Sequence, residues 1–183
     1  MDELSQLIRR AHAGDEAARE RLFAVAYEDL RSQARAQLRD GGRNTLLNTT
    51  VLLHESFLRF QRAGKLAGTE RGHFFAYAAR VMRSVIVDFA RQRQAERRGG
   101  NAAHLPLDAE LAEDLHAGED KVIQINDAIE ALQEQDPRLV QVVEMRYFAG
   151  MTEPEIAAVL GVTDRTVRRD WEKARLLLAA MLR

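Results

Sequence analysis

Apolar residues recur at helical spacing in successive blocks along the chain, and the punctuation between blocks marks where helices end. Leu4, Leu7 and Ile8 predict a short opening helix broken near Gly14, after which Asp15 can cap the next. From 16 to about 39, Leu22, Val25, Ala26, Leu30, Ala34 and Leu38 keep one stripe, closed by Gly41 and Gly42. A third helix is expected over about 48–62, with Leu53, Phe57 and Phe60 inward and Val51, His54, Glu55 and Arg59 outward. The strongest periodicity of the first half runs over 73–93. Ala78, Val81, Met82, Val85, Ile86 and Phe89 form its stripe, with Arg80, Ser84, Val87 and Arg91 on nearly the opposite face. Further on, Val122, Ile125, Ile129 and Leu132 predict a helix from Lys121. Pro137 restarts the chain, and Leu139, Val142, Val143 and Tyr147 make another helix before Gly150.

Residues 152–175 carry the most specific pattern. Thr152 followed by Glu155 is a capping box, and Pro154 in the first turn costs no intrahelical hydrogen bond. Ile156, Ala157 and Leu160 form a buried stripe, and Gly161 supplies the left-handed residue that ends the helix. Thr163 can cap a second helix in which Val167, Trp171, Ala174 and Leu178 face inward and Arg165, Arg168 and Arg169 face outward. Small Ala157, the corner at Gly161 and Val167 packing back across it predict a helix-turn-helix with a cationic face. An ordinary helical hairpin with a solvated basic face is the plainer alternative.

Composition narrows the class. The 183 residues are 46% hydrophobic with three prolines, rich in helix formers, which predicts an all-α fold of one or two small domains. There are no cysteines, which excludes disulfides and cysteine-ligated zinc. No apolar run approaches bilayer-spanning length and the N-terminus has no signal-peptide core, so a cytoplasmic location is expected. The net charge is −1, but it is unevenly spread. Residues 1–100 hold 18 Lys+Arg against 12 Asp+Glu, a net of +6, and residues 101–183 hold 9 against 16, a net of −7. Six acids and no base fall between 101 and 120, so that stretch, with Pro106, is expected to be an acidic linker.

Enzyme chemistry finds little support. His54 and Glu55 open an HExxH pattern, but its second histidine is replaced by Leu58; residues 64–72 are glycine-rich without the spacing of a phosphate-binding loop. The five histidines are scattered, and no nucleophile and base stand at usable spacing, so neither a catalytic residue, a metal nor a cofactor is expected. Phe74, Phe75 and Tyr77 can stack bases, although aromatics at helical spacing more often belong to a core. Arg31, Arg35 and Arg39, one turn apart, are read as a solvated face.

The segment GVTDRTVRRDWEKARLLL resembles the promoter-reading helix of bacterial sigma factors of the extracytoplasmic-function (ECF) group. The likeness extends from about Leu4 to Leu182. TTVLLHESFLRF resembles the helix that grips the clamp of RNA polymerase, and HFFAYAARVMRSVIVDFARQRQAERR resembles the segment that melts and reads the minus-ten element. The resemblance implies an alternative sigma factor, not an enzyme, with core RNA polymerase and promoter DNA as partners. It implies two helical domains, 1–98 and 121–183, joined by a linker over 99–120. Minus-35 contacts would come from Arg165, Thr166, Arg168, Arg169 and Lys173. Minus-ten contacts would come from Lys65, Thr69, Arg71, Arg80, Arg83, Ser84 and Arg91, and polymerase contacts from Val51, His54, Glu55 and Arg59. The glycine-rich 64–72 would be the loop that pockets a flipped minus-ten base, or else a plain connector, and the acidic linker would thread a basic channel of the polymerase.

One departure stands out. Members of the group usually lead the clamp-binding helix with acids, whereas this chain has Asn48, Thr49, Thr50 and Val51 there. Phosphorylation of Thr49 or Thr50 by a Ser/Thr kinase would restore the charge; alternatively, one of them caps the helix. A regulator acting without polymerase, with an N-terminal ligand or dimerisation domain, is the competing functional reading.

Overall fold

A computed structural model of the protein describes residues 3–40, 47–63, 66, 68–99 and 109–183, with side chains to 38 in the first of these stretches and from 118 in the last. Among the described residues all regular structure is helical: α1 (Glu3–His12), α2 (Glu16–Val25), α3 (Tyr27–Asp40), α4 (Thr49–Arg62), α5 (Arg71–Arg98), α6 (Ala109–Gln135), α7 (Pro137–Val143), a π-helical segment (Glu144–Phe148), α8 (Glu153–Leu160) and α9 (Asp164–Met181). None of these helices is long and apolar enough to cross a membrane.

The local signals act as their chemistry requires. Gly14 takes φ +98, and the Asp15 carboxylate accepts from the Ala18 N–H to cap α2. Asn48 caps α4 by accepting from the Val51 N–H, so the capping role considered for Thr49 and Thr50 falls to Asn48 instead. The single helix expected over 16–39 is two. The chain deviates at Ala26, yet the Ala26 N–H still bonds Leu22 O and the Leu30 N–H bonds Ala26 O, so the stripe of Leu22, Ala26, Leu30 and Ala34 stays buried through the kink. No glycine or proline marks that break, which is why periodicity alone runs straight through it.

Leu7, Ile8, Leu22, Leu30, Leu52, Phe60, Phe74, Met82 and Val85 form the core of the N-terminal half. Phe74 and Phe75 are both buried, with Phe74 edge-on to Phe60 at 6.0 Å and to Phe75 at 5.1 Å, so these two are core rather than base-stacking groups. Tyr77 is half-buried beside Phe60. Helix α5 is longer than its pattern predicts and is covered on two sides. Val87, placed by spacing on the outer face, is 4% exposed because α6 and the π segment pack over it.

Two corrections concern the second half. The helix expected from Lys121 begins at Ala109, so the acidic stretch is helical over 109–120. Glu119 and Asp120 on it meet the arginines of α5, which gives those acids a packed partner instead of solvent. Tyr147, expected in the apolar stripe, is 48% exposed. The Ala149 N–H reaches back five residues to Glu144 O, and this wider turn shifts the register by one residue, rotating Tyr147 out while Glu144 and Met145 are buried.

The two halves dock. Ala76 of α5 packs in one cluster with Val142, Met145, Ile156, Ala157 and Val167, and Gln33 and Gln37 of α3 donate to the carbonyls of Ala149 (3.2 Å) and Phe148 (3.3 Å).

Candidate nucleic-acid interface

Helices α8 and α9 meet at Gly161, which adopts φ +66, and the Val162 N–H closes on Ala157 O. At the start of α8 the Glu155 carboxylate accepts from the Thr152 N–H (2.8 Å) and hydroxyl (2.7 Å). These bonds, the backbone one foremost, hold the Glu155 carboxyl below its ordinary value. Thr163 accepts from the Thr166 N–H to cap α9, and the two hydroxyls lie 3.0 Å apart. Val167 and Ala174 are fully buried and Trp171 half-buried, which aims Arg165, Arg168 and Arg169 outward.

Three of the five residues expected on the minus-35 surface hold carboxylates. Arg168 donates to Glu153 at 2.8 Å, and Arg146, stacked on Trp171, binds the other Glu153 oxygen at 2.7 Å. The bonds from Arg168 and then Arg146 lower the Glu153 carboxyl, and Glu153 raises Arg168 in return. Arg169 pairs with Asp170 at 3.2 Å, and Lys173 with Asp136 at 3.2 Å. Arg165 is exposed and forms no ion pair among the described residues.

The residues expected on the minus-ten surface are brought together on α5, but mostly against the chain's own acids. Glu144, 3% exposed, receives Arg80 (2.8 Å) on one oxygen and Arg83 (2.9 Å) on the other. Arg83 also donates to Asn126 at 2.6 Å, and Arg91 to Asp127 at 3.1 Å. Arg71 pairs with Asp29 and lies over the Phe75 ring. Ser84 accepts from Arg59 and donates to Val81 O, which binds it into α4–α5 packing. Thr69 is exposed beside Gly68, and Lys65 lies outside the described residues. Further along α5, Arg93 and Arg97 flank the buried Glu119 at 3.7 and 3.6 Å, and Arg97 reaches Asp120 at 3.2 Å.

Of the residues expected to meet polymerase, Val51, His54 and Glu55 form an exposed strip on α4, whereas Arg59 is held by Ser84 and Asp88. Thr49 is half-exposed and Thr50 exposed, in the first turn of that helix.

Glu144 and Asp170 escaped the sequence reading. Each has a signal there: Asp170 stands three after Val167 and four before Ala174, on the inward stripe, and Glu144 stands four after Val140. A carboxylate on a buried face requires a cationic partner.

Among the described residues the regular structure is all helical, with a cationic helix after a glycine corner and a second row of arginines on α5, charge of the sign that a nucleic-acid backbone requires. A family model described as ECF sigma factor matches residues 1–183, and the chain belongs to that family. It is accordingly an alternative sigma factor of the sigma-70 class, a transcription initiation regulator rather than an enzyme, whose partners are RNA polymerase and promoter DNA. Among curated proteins no match is found.

Proposed function

We propose that residues 1–98 engage core polymerase and the minus-ten element and that residues 121–183 read the minus-35 element with α9 in the major groove. The carrying observation is the outward face of α9, where Arg165, Arg168 and Arg169 project from a helix fixed by the Thr163 cap and the Gly161 corner. A guanidinium in the major groove can pair bidentately with guanine, and the neighbouring cations neutralise phosphate. Thr166 and Lys173 extend this surface. On α5, Arg80, Arg83, Ser84 and Arg91, with Lys65, Thr69 and Arg71 before them, are the candidates for the minus-ten strand, and Val51, His54, Glu55 and Arg59 those for the polymerase clamp.

The first turn of α4 carries the regulatory half of the proposal. Thr49 and Thr50 follow the Asn48 cap, and neither hydroxyl provides the capping bond. A phosphate there would add about −1.5 to −2 charge next to a helix N-terminus, which favours anions. A Ser/Thr kinase would thereby supply the acidic surface that Asn48 to Val51 lack.

Reconstitution with core polymerase tests both parts. Promoter-specific transcription and a footprint over the minus-35 and minus-ten regions support the DNA assignment, and a footprint unchanged in Arg168→Ala and Arg169→Ala would exclude those residues. Kinase-treated protein is expected to bind core polymerase more tightly than untreated protein, and Thr49→Ala with Thr50→Ala to abolish the gain. Tight binding by the unmodified chain would remove the need for the switch.

A further inference from the structure

We propose that His12, the last residue of α1, is a positioning residue for minus-ten base selection: its imidazole fixes the shape of the loop that leads into α5. This role rests on the reading of 64–72 as a minus-ten contact. His12 is half-buried, and its Nδ1 lies 2.8 Å from the Leu66 carbonyl oxygen, across 54 residues of sequence. A carbonyl only accepts, so Nδ1 carries the proton and His12 is the donor. The bond is made to a residue already held by its side chain, because Leu66 is 4% exposed and belongs to the same core as Leu4, Leu7 and Ile8 of α1. His12 is set by that helix in turn, since Ala11 beside it is fully buried and the chain leaves through Gly14. Leu66 is thus fixed from two directions, and it cannot rotate without losing one of them.

A second histidine meets the loop at Gly68. That residue takes φ +87, and a Cβ there would lie 2.6 Å from His73 Cγ and 2.7 Å from His73 Cβ, so the backbone rests directly on that side chain. Only glycine combines that angle with that approach. The chain then bends through Thr69 and Glu70, both exposed, and enters α5 at Arg71. Glu70 takes the N-cap position of α5, but its carboxylate makes no capping bond and has no ion-pair partner among the described residues. Thr69 and Glu70 therefore present a hydroxyl and a carboxylate to solvent, next to a backbone held at Leu66 and Gly68.

What a fixed loop supplies is discrimination. A base taken out of the stack is told from the others by hydrogen bonds to its edge. Those bonds separate one base from another only where the protein groups keep their places, and a loop free to shift re-forms them to a different base. A carboxylate accepts from the amino group of cytosine or adenine, and a hydroxyl both donates and accepts. Loosening the bond from His12 would therefore lower selectivity before it lowers binding.

The test uses holoenzyme reconstituted with core RNA polymerase and a promoter taken from the footprint, randomised across its minus-ten element, with the templates that yield transcript sequenced. His12→Ala should reduce the base preference at one minus-ten position by about 2- to 10-fold, the range set by one hydrogen bond of ordinary net strength, with the preferences at the other positions kept. His12→Asn should restore it, because the asparagine amide nitrogen, like Nδ1, is bonded to Cγ and donates. Thr69→Ala with Glu70→Ala tests the contact itself and should change the preference at the same position. If that double variant leaves every minus-ten preference as in wild type, the loop is not a base contact and the role of His12 is overturned with it. If it changes one preference and His12→Ala changes none, the loop reads the base and His12 does not position it. A His12→Ala holoenzyme that loses yield equally on all templates, or a lost preference that His12→Asn does not restore, assigns His12 to stability alone and overturns the proposal.

Discussion

Arg83 donates to Glu144 at 2.9 Å across 61 residues of sequence, and the pair joins α5 to the π-helical segment. Arg83 is 16% exposed and Arg80, on the other oxygen, 54% exposed, so the two arginines are unequal partners of one carboxylate. Removing Glu144 leaves the more buried guanidinium without its carboxylate, and Asn126 is then its remaining hydrogen-bond partner among the described side chains. Glu144→Ala is expected to cost up to about 3–5 kcal/mol, the scale of a broken buried pair. Arg80→Ala, by contrast, removes a largely hydrated charge worth about 0–1 kcal/mol. Urea unfolding of the two variants checks the order; an equal or reversed cost would contradict the unequal burial.

Glu153 restrains Arg168, and its loss is expected to act on binding more than on folding. In Glu153→Ala the guanidinium no longer has to leave a carboxylate at 2.8 Å before meeting DNA. Affinity for minus-35 duplex should rise, and Arg168→Ala should then cost about 1–3 kcal/mol if it reads a base, or lower the salt slope by about one if it meets a phosphate. Titrations of the holoenzyme at several salt concentrations distinguish the two.

The capping box at α8 gives a pH dependence of known sign. Glu155 has an ordinary value of 4.5 and is lowered in the folded chain by the bonds from Thr152, so it contributes stability that is fully present above about pH 4.5. That contribution is lost as pH falls through the depressed folded value. The difference in denaturation midpoint between wild type and Glu155→Gln should therefore be largest near neutrality and shrink in acid.

Gly161 isolates a backbone effect. A Cβ there would meet nothing within 4 Å, so Gly161→Ala is limited to the conformational cost of φ +66, about 1–2 kcal/mol. Thermal denaturation should show a modest loss with α9 intact by circular dichroism. A loss several times larger would mean that the corner bears on more than its own dihedral angles.

Much of the molecule was legible before any coordinate. The Asp15, Thr152 and Thr163 caps, the Gly161 corner and the inward stripe of α9 all depend on groups within four residues of one another, and the structure forms each of them. The kink at Ala26 and the early start of α6 were not legible. The first carries no glycine or proline, and the second sits in a stretch whose acids look solvated until α5 is placed beside them.

The sequence by itself determined most of the helices and their outward cations, because these follow from periodicity and from side chains that meet their own backbone. Only the tertiary structure decided what those cations touch. Arg80 with Glu144 and Arg91 with Asp127 join positions 64 and 36 residues apart, and the π turn that follows Glu144 rotates Tyr147 outward. A charge on an outer helical face has the same pattern whether water, a phosphate or a distant carboxylate lies opposite. Which of these it meets is set by how the two halves pack.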